Sequence, residues 1–354
     1  MTTCRHCRTT KPKIAESLSC CPDCIRRGSQ AVMNSLRQVH RGIRKESGLP
    51  PETQANEDEP SCVICARNCR PARGEKGFCG LRENKDGKIV HHAGLPGRGI
   101  AEYYFDPLPT NCVADWVCPA KNGSHTGKKN LAVFYGACVL NCLFCQNWQY
   151  RTLTKRLSPA LSADQLAEAV DSQTACICFF GGDPAPQAPH ALSTAHKALK
   201  KNPDLRICWE SSGAFSELFF PRVMDLSYRS GGTVKFDLKA YNKNLYFALT
   251  GGDNTLMLKN FARCAEFSHR QNLTLAVAST LLIPGYINEN EIFDLASFIA
   301  SHNPKTPYSL LGFHPQFQMK DLPVTSRKEA EACYDAARKA GLENVHLGNI
   351  HLLK

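Results

Sequence analysis

No apolar run in the 354 residues is long enough to cross a bilayer, so the sequence carries no candidate transmembrane helix. The start, from Met1 to Cys7, lacks the apolar core of a signal peptide, and a cytoplasmic protein without a membrane partner is expected. Acidic residues are the minority charge, 32 against 43 Lys and Arg, for a net +11. That excess suggests an anionic partner or substrate. Metal-bound thiolates would offset it, each adding a negative charge, and a diffuse solvated surplus of Lys and Arg is the simpler reading. With 43% hydrophobic and 21% charged residues, the chain suits one large domain with one or two small ones.

Cysteine is not scarce. There are nineteen, several in C-x2-C pairs. Without an export signal, reduced thiols binding metal are expected rather than disulfides. The chain is organised around Phe134 to Trp148, where a short apolar run, Leu131 to Tyr135, reads as a buried strand. Cys138, Cys142 and Cys145 follow in one loop at C-x3-C-x2-C spacing. Thiolates suit iron–sulfur clusters or zinc. A 4Fe-4S cluster takes four cysteines, so three without an evident fourth would leave one iron open to an outside ligand. A zinc knuckle with a borrowed fourth ligand, or plain buried thiols, are the alternatives.

With Phe144 just before the third cysteine, this loop resembles the signature of the radical S-adenosylmethionine (SAM) enzymes. The resemblance implies that SAM chelates the open iron of a 4Fe-4S cluster. Reductive cleavage would then give methionine and a 5′-deoxyadenosyl radical that abstracts hydrogen from a substrate. An electron donor such as a flavodoxin or ferredoxin is implied.

Ahead of the loop lie two further cysteine blocks. Cys4-x2-Cys7 and Cys21-x2-Cys24, with Cys20 as an extra thiol, match a four-cysteine zinc site in a zinc-ribbon-like module, residues 1–25. Residues 26–60 read as a basic amphipathic helix, from Arg26 to about Gly48, and a Pro- and acid-rich linker. Within a cysteine-rich extension, residues 61–125, stand Cys62, Cys65, Cys69 and Cys79. Zinc or an undefined structural metal is expected there, with a second iron–sulfur cluster as the alternative. This block resembles the N-terminal segment of the pyruvate formate-lyase activating enzyme-like branch, which includes the AmmeMemoRadiSam-type proteins, although Ala66 stands where that branch has Pro. Cys112 and Cys118 are unassigned: a metal cap, a redox pair or inert thiols. Lys121 to Lys129 reads as an exposed loop leading into the core, residues 126–354.

Apolar runs near 131–135, 175–180, 205–210, 233–238, 273–283 and 308–313 alternate with helical patterns near 163–171, 188–200, 215–226, 255–270, 289–302 and 326–340. Repeated βα units imply a parallel sheet. The expected class is α/β, a partial (β/α)6 TIM-like barrel with N-terminal cysteine-rich metal-binding modules and an extra strand at 344–348. Active sites of such barrels lie at the C-terminal strand ends. Gly181-Gly182-Asp183 resembles the family's GGE motif for the amino group of SAM, with Asp one methylene shorter than Glu. The resemblance implies SAM-pocket roles for Phe144, Ser211, Ser212, Asp237 and Ile283 as well. Single serines could equally be helix caps. Lys235, Asp237 and Lys239 alternate onto one side of a strand. His314 is either a substrate-side acid or base or a bland rim histidine. Cys176, Cys178, Cys208, Cys264 and Cys333 read as small buried residues.

The resemblance spans roughly 61–349 and implies an oxidoreductase whose substrate is open: a glycyl-radical partner protein, another peptide, a nucleic acid or a small molecule. No stretch is left for a cobalamin domain. A non-catalytic zinc-ribbon adaptor is the reading from another class.

Overall fold

The computed structural model describes residues 1–108, 112–118, 125 and 127–354; positions 121–124 and 126 of the expected entry loop lie outside the described residues. The N-terminal elements are β1 (Thr2–Thr3), β2 (Thr10–Lys11), α1 (Pro22–Arg27) and α2 (Gln30–Glu46). Then come β3 (Arg82–Lys85), β4 (Lys88–His91), β5 (Gly99–Pro107), β6 (Lys129–Tyr135), α3 (Tyr150–Arg156), β7 (Ala160–Leu161) and α4 (Ala163–Glu168). The series continues with β8 (Thr174–Gly181), α5 (Ala188–Lys201), β9 (Arg206–Ser211), α6 (Phe220–Ser230), β10 (Val234–Asp237), α7 (Lys243–Thr250) and α8 (Thr255–Gln271). It ends with β11 (Ala276–Leu282), α9 (Glu289–His302), β12 (Tyr308–Gly312), α10 (Arg327–Lys339) and β13 (Val345–Gly348).

The protein is α/β with a mostly parallel central sheet, as the repeated βα units predict. Two compact units divide the chain: residues 1–43, 140–146 and 237–354 form one, and residues 44–139 and 147–236 the other. In the second unit, parallel pairs join β6 to β8, β8 to β9 and β9 to β10, while β5 runs antiparallel to β6 and carries β7 on its other side. In the first, β11, β12 and β13 form a parallel ladder and β1 pairs with β2 as a small hairpin. Among the described residues no helix is long and apolar enough to cross a membrane.

Local chemistry sets the helix ends. Capping boxes start α4 at Ser162 and Gln165 and α10 at Ser326 and Glu329. The helix expected from Arg26 to about Gly48 is two helices, because Gly28 ends α1 in the left-handed region at φ 66°. The helix expected at 215–226 starts later, at Phe220. Pro221 occupies its first turn, and Phe215 and Ala214 are drawn into pairing with Cys65 and Ala66.

Gly232, in the turn between α6 and β10, has no space for a side chain: a Cβ there would lie 2.0 Å from the Ile207 carbonyl oxygen. Gly232→Ala should therefore destabilise the fold by about 2 kcal/mol or more, read as a lowered unfolding midpoint. Gly97→Ala, where a Cβ meets nothing within 4 Å, should leave the midpoint unchanged.

Candidate active site

The cysteine loop leaves β6 through Gly136 and Ala137, the latter at φ 73°. Backbone bonds fix this exit. Gly136 N–H donates to Ile100 O (2.9 Å), Gly182 N–H to Tyr135 O (2.8 Å) and Asp183 N–H to Ala137 O (3.0 Å). The fully buried Gln187 amide bonds to both Gly136 O and Ile100 O. A Cβ on Gly181 would sit 2.5 Å from Tyr135 N, and one on Gly182 2.2 Å from Ala137 O. The two glycines are thus required by close backbone approach at the start of the loop. Asn147 Nδ2 donates to Gly181 O at 3.1 Å.

Asp183 is buried, and its carboxylate is fully engaged. Oδ1 accepts from Ala185 N–H (2.8 Å) and Ser211 Oγ (2.9 Å); Oδ2 accepts from Ser212 N–H (3.0 Å) and Ser212 Oγ (2.6 Å). Four donors match the four lone-pair sites of a carboxylate. Ser211 and Ser212 therefore cap no helix; they tie the end of β9 to the end of β8. Gly181, Gly182, Asp183, Ser211 and Ser212 come together as one patch in the second unit.

In the first unit, the later part of the loop is held by Asn141 N–H to Thr250 O (2.7 Å), Leu143 N–H to Leu249 O (3.0 Å) and Gln318 N–H to Leu143 O (2.9 Å). Here Lys239 connects the expected residues. Its ammonium pairs with Asp237 and lies 5.5 Å from the centre of the buried Phe144 ring, a cation–π distance. Burial alone would pull the Lys239 pKa down, but Asp237 and the nearby Cys142 raise it above the usual lysine value, so it is charged. Ile283 is fully buried at the turn after β11. His314 is exposed, with Nδ1 3.1 Å from its neighbour's carbonyl, Pro315 O.

Three sets of thiols behave differently. Among the described residues, only Cys4, Cys7, Cys21 and Cys24 bring the ligand atoms of three or more His, Cys, Asp or Glu within 4.8 Å of one another. Zn–S bonds of about 2.3 Å in a tetrahedron place sulfurs about 3.8 Å apart, so these four fit one zinc ion. Burial raises the Cys4 pKa, but backbone N–H groups of Cys21, Cys7 and His6 outweigh it and bring it to about 6, which favours a ligating thiolate. No disulfide joins any of the nineteen cysteines. Cys138, Cys142 and Cys145 are three reduced thiols within eight consecutive residues, a donor set that suits an iron–sulfur cluster.

One arrangement was not visible in the sequence. Lys235 Nζ, buried in the second unit, donates to Cys112 Sγ (3.1 Å) and Cys178 Sγ (3.0 Å), with Glu210 at 3.6 Å. Burial pushes both thiol pKa values up, which favours neutral thiols beside the ammonium. Cys178 is thus buried, as expected, yet also a polar contact; only the short β8–β10 separation across β9 would have hinted at it.

The Radical SAM superfamily profile matches residues 132–299, the stretch from β6 through α9 that carries the loop and the strand-end turns. The chain is 21% identical over 304 residues to an uncharacterized protein of Methanocaldococcus jannaschii, covering 83% of each chain. Among solved structures it is similar to a domain of pyruvate-formate lyase-activating enzyme from Bacteroides vulgatus, with 20% identity, TM-score 0.39, and coverage of 49% of this chain and 98% of that one. It is also similar to Streptococcus suis SuiB bound to precursor peptide SuiA, with 14% identity, TM-score 0.40, and coverage of 61% and 47%.

Replacing Asp183 with Ala would leave the Ser211 and Ser212 donors without their acceptor. The expected cost is about 2–4 kcal/mol of stability, from chemical denaturation. Ser211→Ala, which removes one of the four bonds, should cost about 1 kcal/mol.

Proposed function

We propose that the protein is a radical SAM oxidoreductase in which Cys138, Cys142 and Cys145 hold a 4Fe-4S cluster with one iron left for SAM. The observation that carries this is the three-thiol loop pinned by the Gly181–Asp183 turn within the superfamily region. When bound, the cluster and SAM supply a 5′-deoxyadenosyl radical for hydrogen abstraction. Gly181, Gly182, Asp183, Ser211 and Ser212 contribute to SAM binding, as do Phe144, Asp237 and Ile283. Asp183 acts chiefly as a positioning residue, because its oxygens are already occupied by the serines and the turn. The charged Lys239 offers a fixed cation for a carboxylate. Residues 126–354 are the catalytic core, and residues 61–125 an extension that supports it.

Activation of a glycyl-radical partner protein is the substrate reading favoured by the motifs across 61–349, with a flavodoxin or ferredoxin as electron donor. Residues 1–25 hold zinc, and 26–60 link them onward. The unbridged cysteines favour a reducing cytoplasmic setting.

Reconstituted without air and given SAM and a strong reductant, the protein should release 5′-deoxyadenosine, and Cys142→Ala should abolish that release while keeping the zinc. Continued cleavage in the variant would contradict the assignment. A glycine-centred EPR signal on a partner protein would identify the activase; its absence, with cleavage intact, would point to another substrate. Removal of zinc, by chelation or Cys21→Ala, should expose residues 1–25 to protease and weaken amide protection at residues 283–288. Tyr286 joins these segments, accepting from Ala15 N–H (3.0 Å) and donating to Cys20 O (3.2 Å).

A further inference from the structure

Cys62, Cys65, Cys69 and Cys79 are all buried, between 6% and 8% exposed, and none is in a disulfide. They are near enough for mutual electrostatic influence: Cys62, Cys69 and Cys79 each act on Cys65. Yet no three of their sulfurs come within the 4.8 Å at which Cys4, Cys7, Cys21 and Cys24 gather in the same chain. The zinc-like set is thus an internal standard. A single tetrahedral ion draws its sulfurs to about 3.8 Å. A cluster places several irons and sulfides between its ligands, which keeps them farther apart.

The surroundings supply what an anionic cluster needs. Phe78 N–H points at Cys69 Sγ (3.4 Å), and Arg82 Nη1 reaches Cys79 Sγ (3.6 Å). Arg82 is 1% exposed, and its Nη2 has no acceptor among the described residues. Arg44, equally buried, has Nη1 without an acceptor among them, and its guanidinium lies 3.5 Å from the Phe78 ring centre. Buried arginine donors left unmatched are costly unless an anion meets them. A Cβ on Gly77 would press on Cys69 Cβ at 3.3 Å, so the backbone closes tightly around the thiols.

The block also touches the catalytic loop. Arg67, between Cys65 and Cys69, donates from Nε to Val139 O at 2.7 Å, and Val139 follows Cys138. Cys79 packs in one apolar cluster with Ala137, which precedes Cys138. Ala66 N–H bonds to Ala214 O at 2.9 Å, just beyond Ser211 and Ser212.

We propose that Cys62, Cys65, Cys69 and Cys79 hold an iron–sulfur cluster of their own, in place of the zinc expected from sequence. It forms a second redox centre whose protein shell bonds directly to the residues flanking Cys138. The ligand assignment stands without the radical SAM reading; its role as a neighbouring redox centre rests on that reading.

The test uses the full chain with Cys138→Ala, Cys142→Ala and Cys145→Ala together, reconstituted without air with ferrous iron and sulfide. The variant should keep about four irons per chain and a brown chromophore, with zinc unchanged from wild type. No iron, or a second equivalent of zinc, overturns the proposal. Mössbauer spectra of the wild type give a readout that does not depend on the variant folding: adding SAM should change one cluster component and leave the other. Iron that all responds to SAM would also overturn it. Failure of the radical SAM reading alone would look different, as wild-type iron that never responds to SAM while the triple variant keeps its cluster.

Discussion

The site depends on one close approach of two backbones, Gly181 to Asp183 against Tyr135 to Ala137. Parallel pairing of β6 with β8 brings Tyr135 opposite Gly181, and the ladder then passes into two irregular bonds, Gly182 to Tyr135 and Asp183 to Ala137. Neither glycine has room for a Cβ. The strand-end glycines and the start of the cysteine loop are therefore one rigid element. Each bond contributes modestly, about 0.5–1.5 kcal/mol net. Their joint effect is positional, because a shift of either chain would move Cys138 and Asp183 together.

Much of this architecture was legible in the sequence, and the reason is locality. Strands β6, β8, β9, β10, β11 and β12 fall on the apolar runs within a few residues, since parallel strands buried on both faces read as continuous hydrophobic stretches. The C-x3-C-x2-C loop was legible because its ligands are neighbours in the chain. β5 was not: Glu102 to Phe105 are exposed, and the strand's partner, β6, lies beyond a long insertion. The grip of Ser211 and Ser212 on Asp183 was hidden too, because it spans 28 and 29 residues and follows from register. Residue type suggested serine caps, and packing chose a buried carboxylate instead.

Thiol spacing divides the cysteines by chemistry where sequence spacing does not. C-x2-C occurs in the Cys4–Cys24 set, the Cys62–Cys79 set and at Cys142–Cys145. In the first set the sulfurs contract to the reach of one ion, and in the second they do not. The short motif fixes two ligands on a tight turn; the distance from that pair to the remaining ligands is set by the fold around it. Around Cys62 to Cys79 that fold brings the buried Arg82 guanidinium to Cys79 Sγ, a cation beside the thiols.

The N-terminal cysteine segment packs within its own unit. A Cβ on Gly285 would lie 2.6 Å from Lys13 O, so the turn after β11 and the ribbon backbone are in direct contact. Arg26 donates to Tyr286 O at 2.9 Å and lies 3.6 Å from Glu291, whose carboxylate also accepts from the backbone of Tyr241 and Asn242. A segment this short would fold on the free energy of a metal held by its four cysteines. Through these contacts that free energy would also hold the turn that begins at Ile283. A metal near the N-terminus would thus stabilise a residue more than 250 positions later, through packing and without any role in the chemistry.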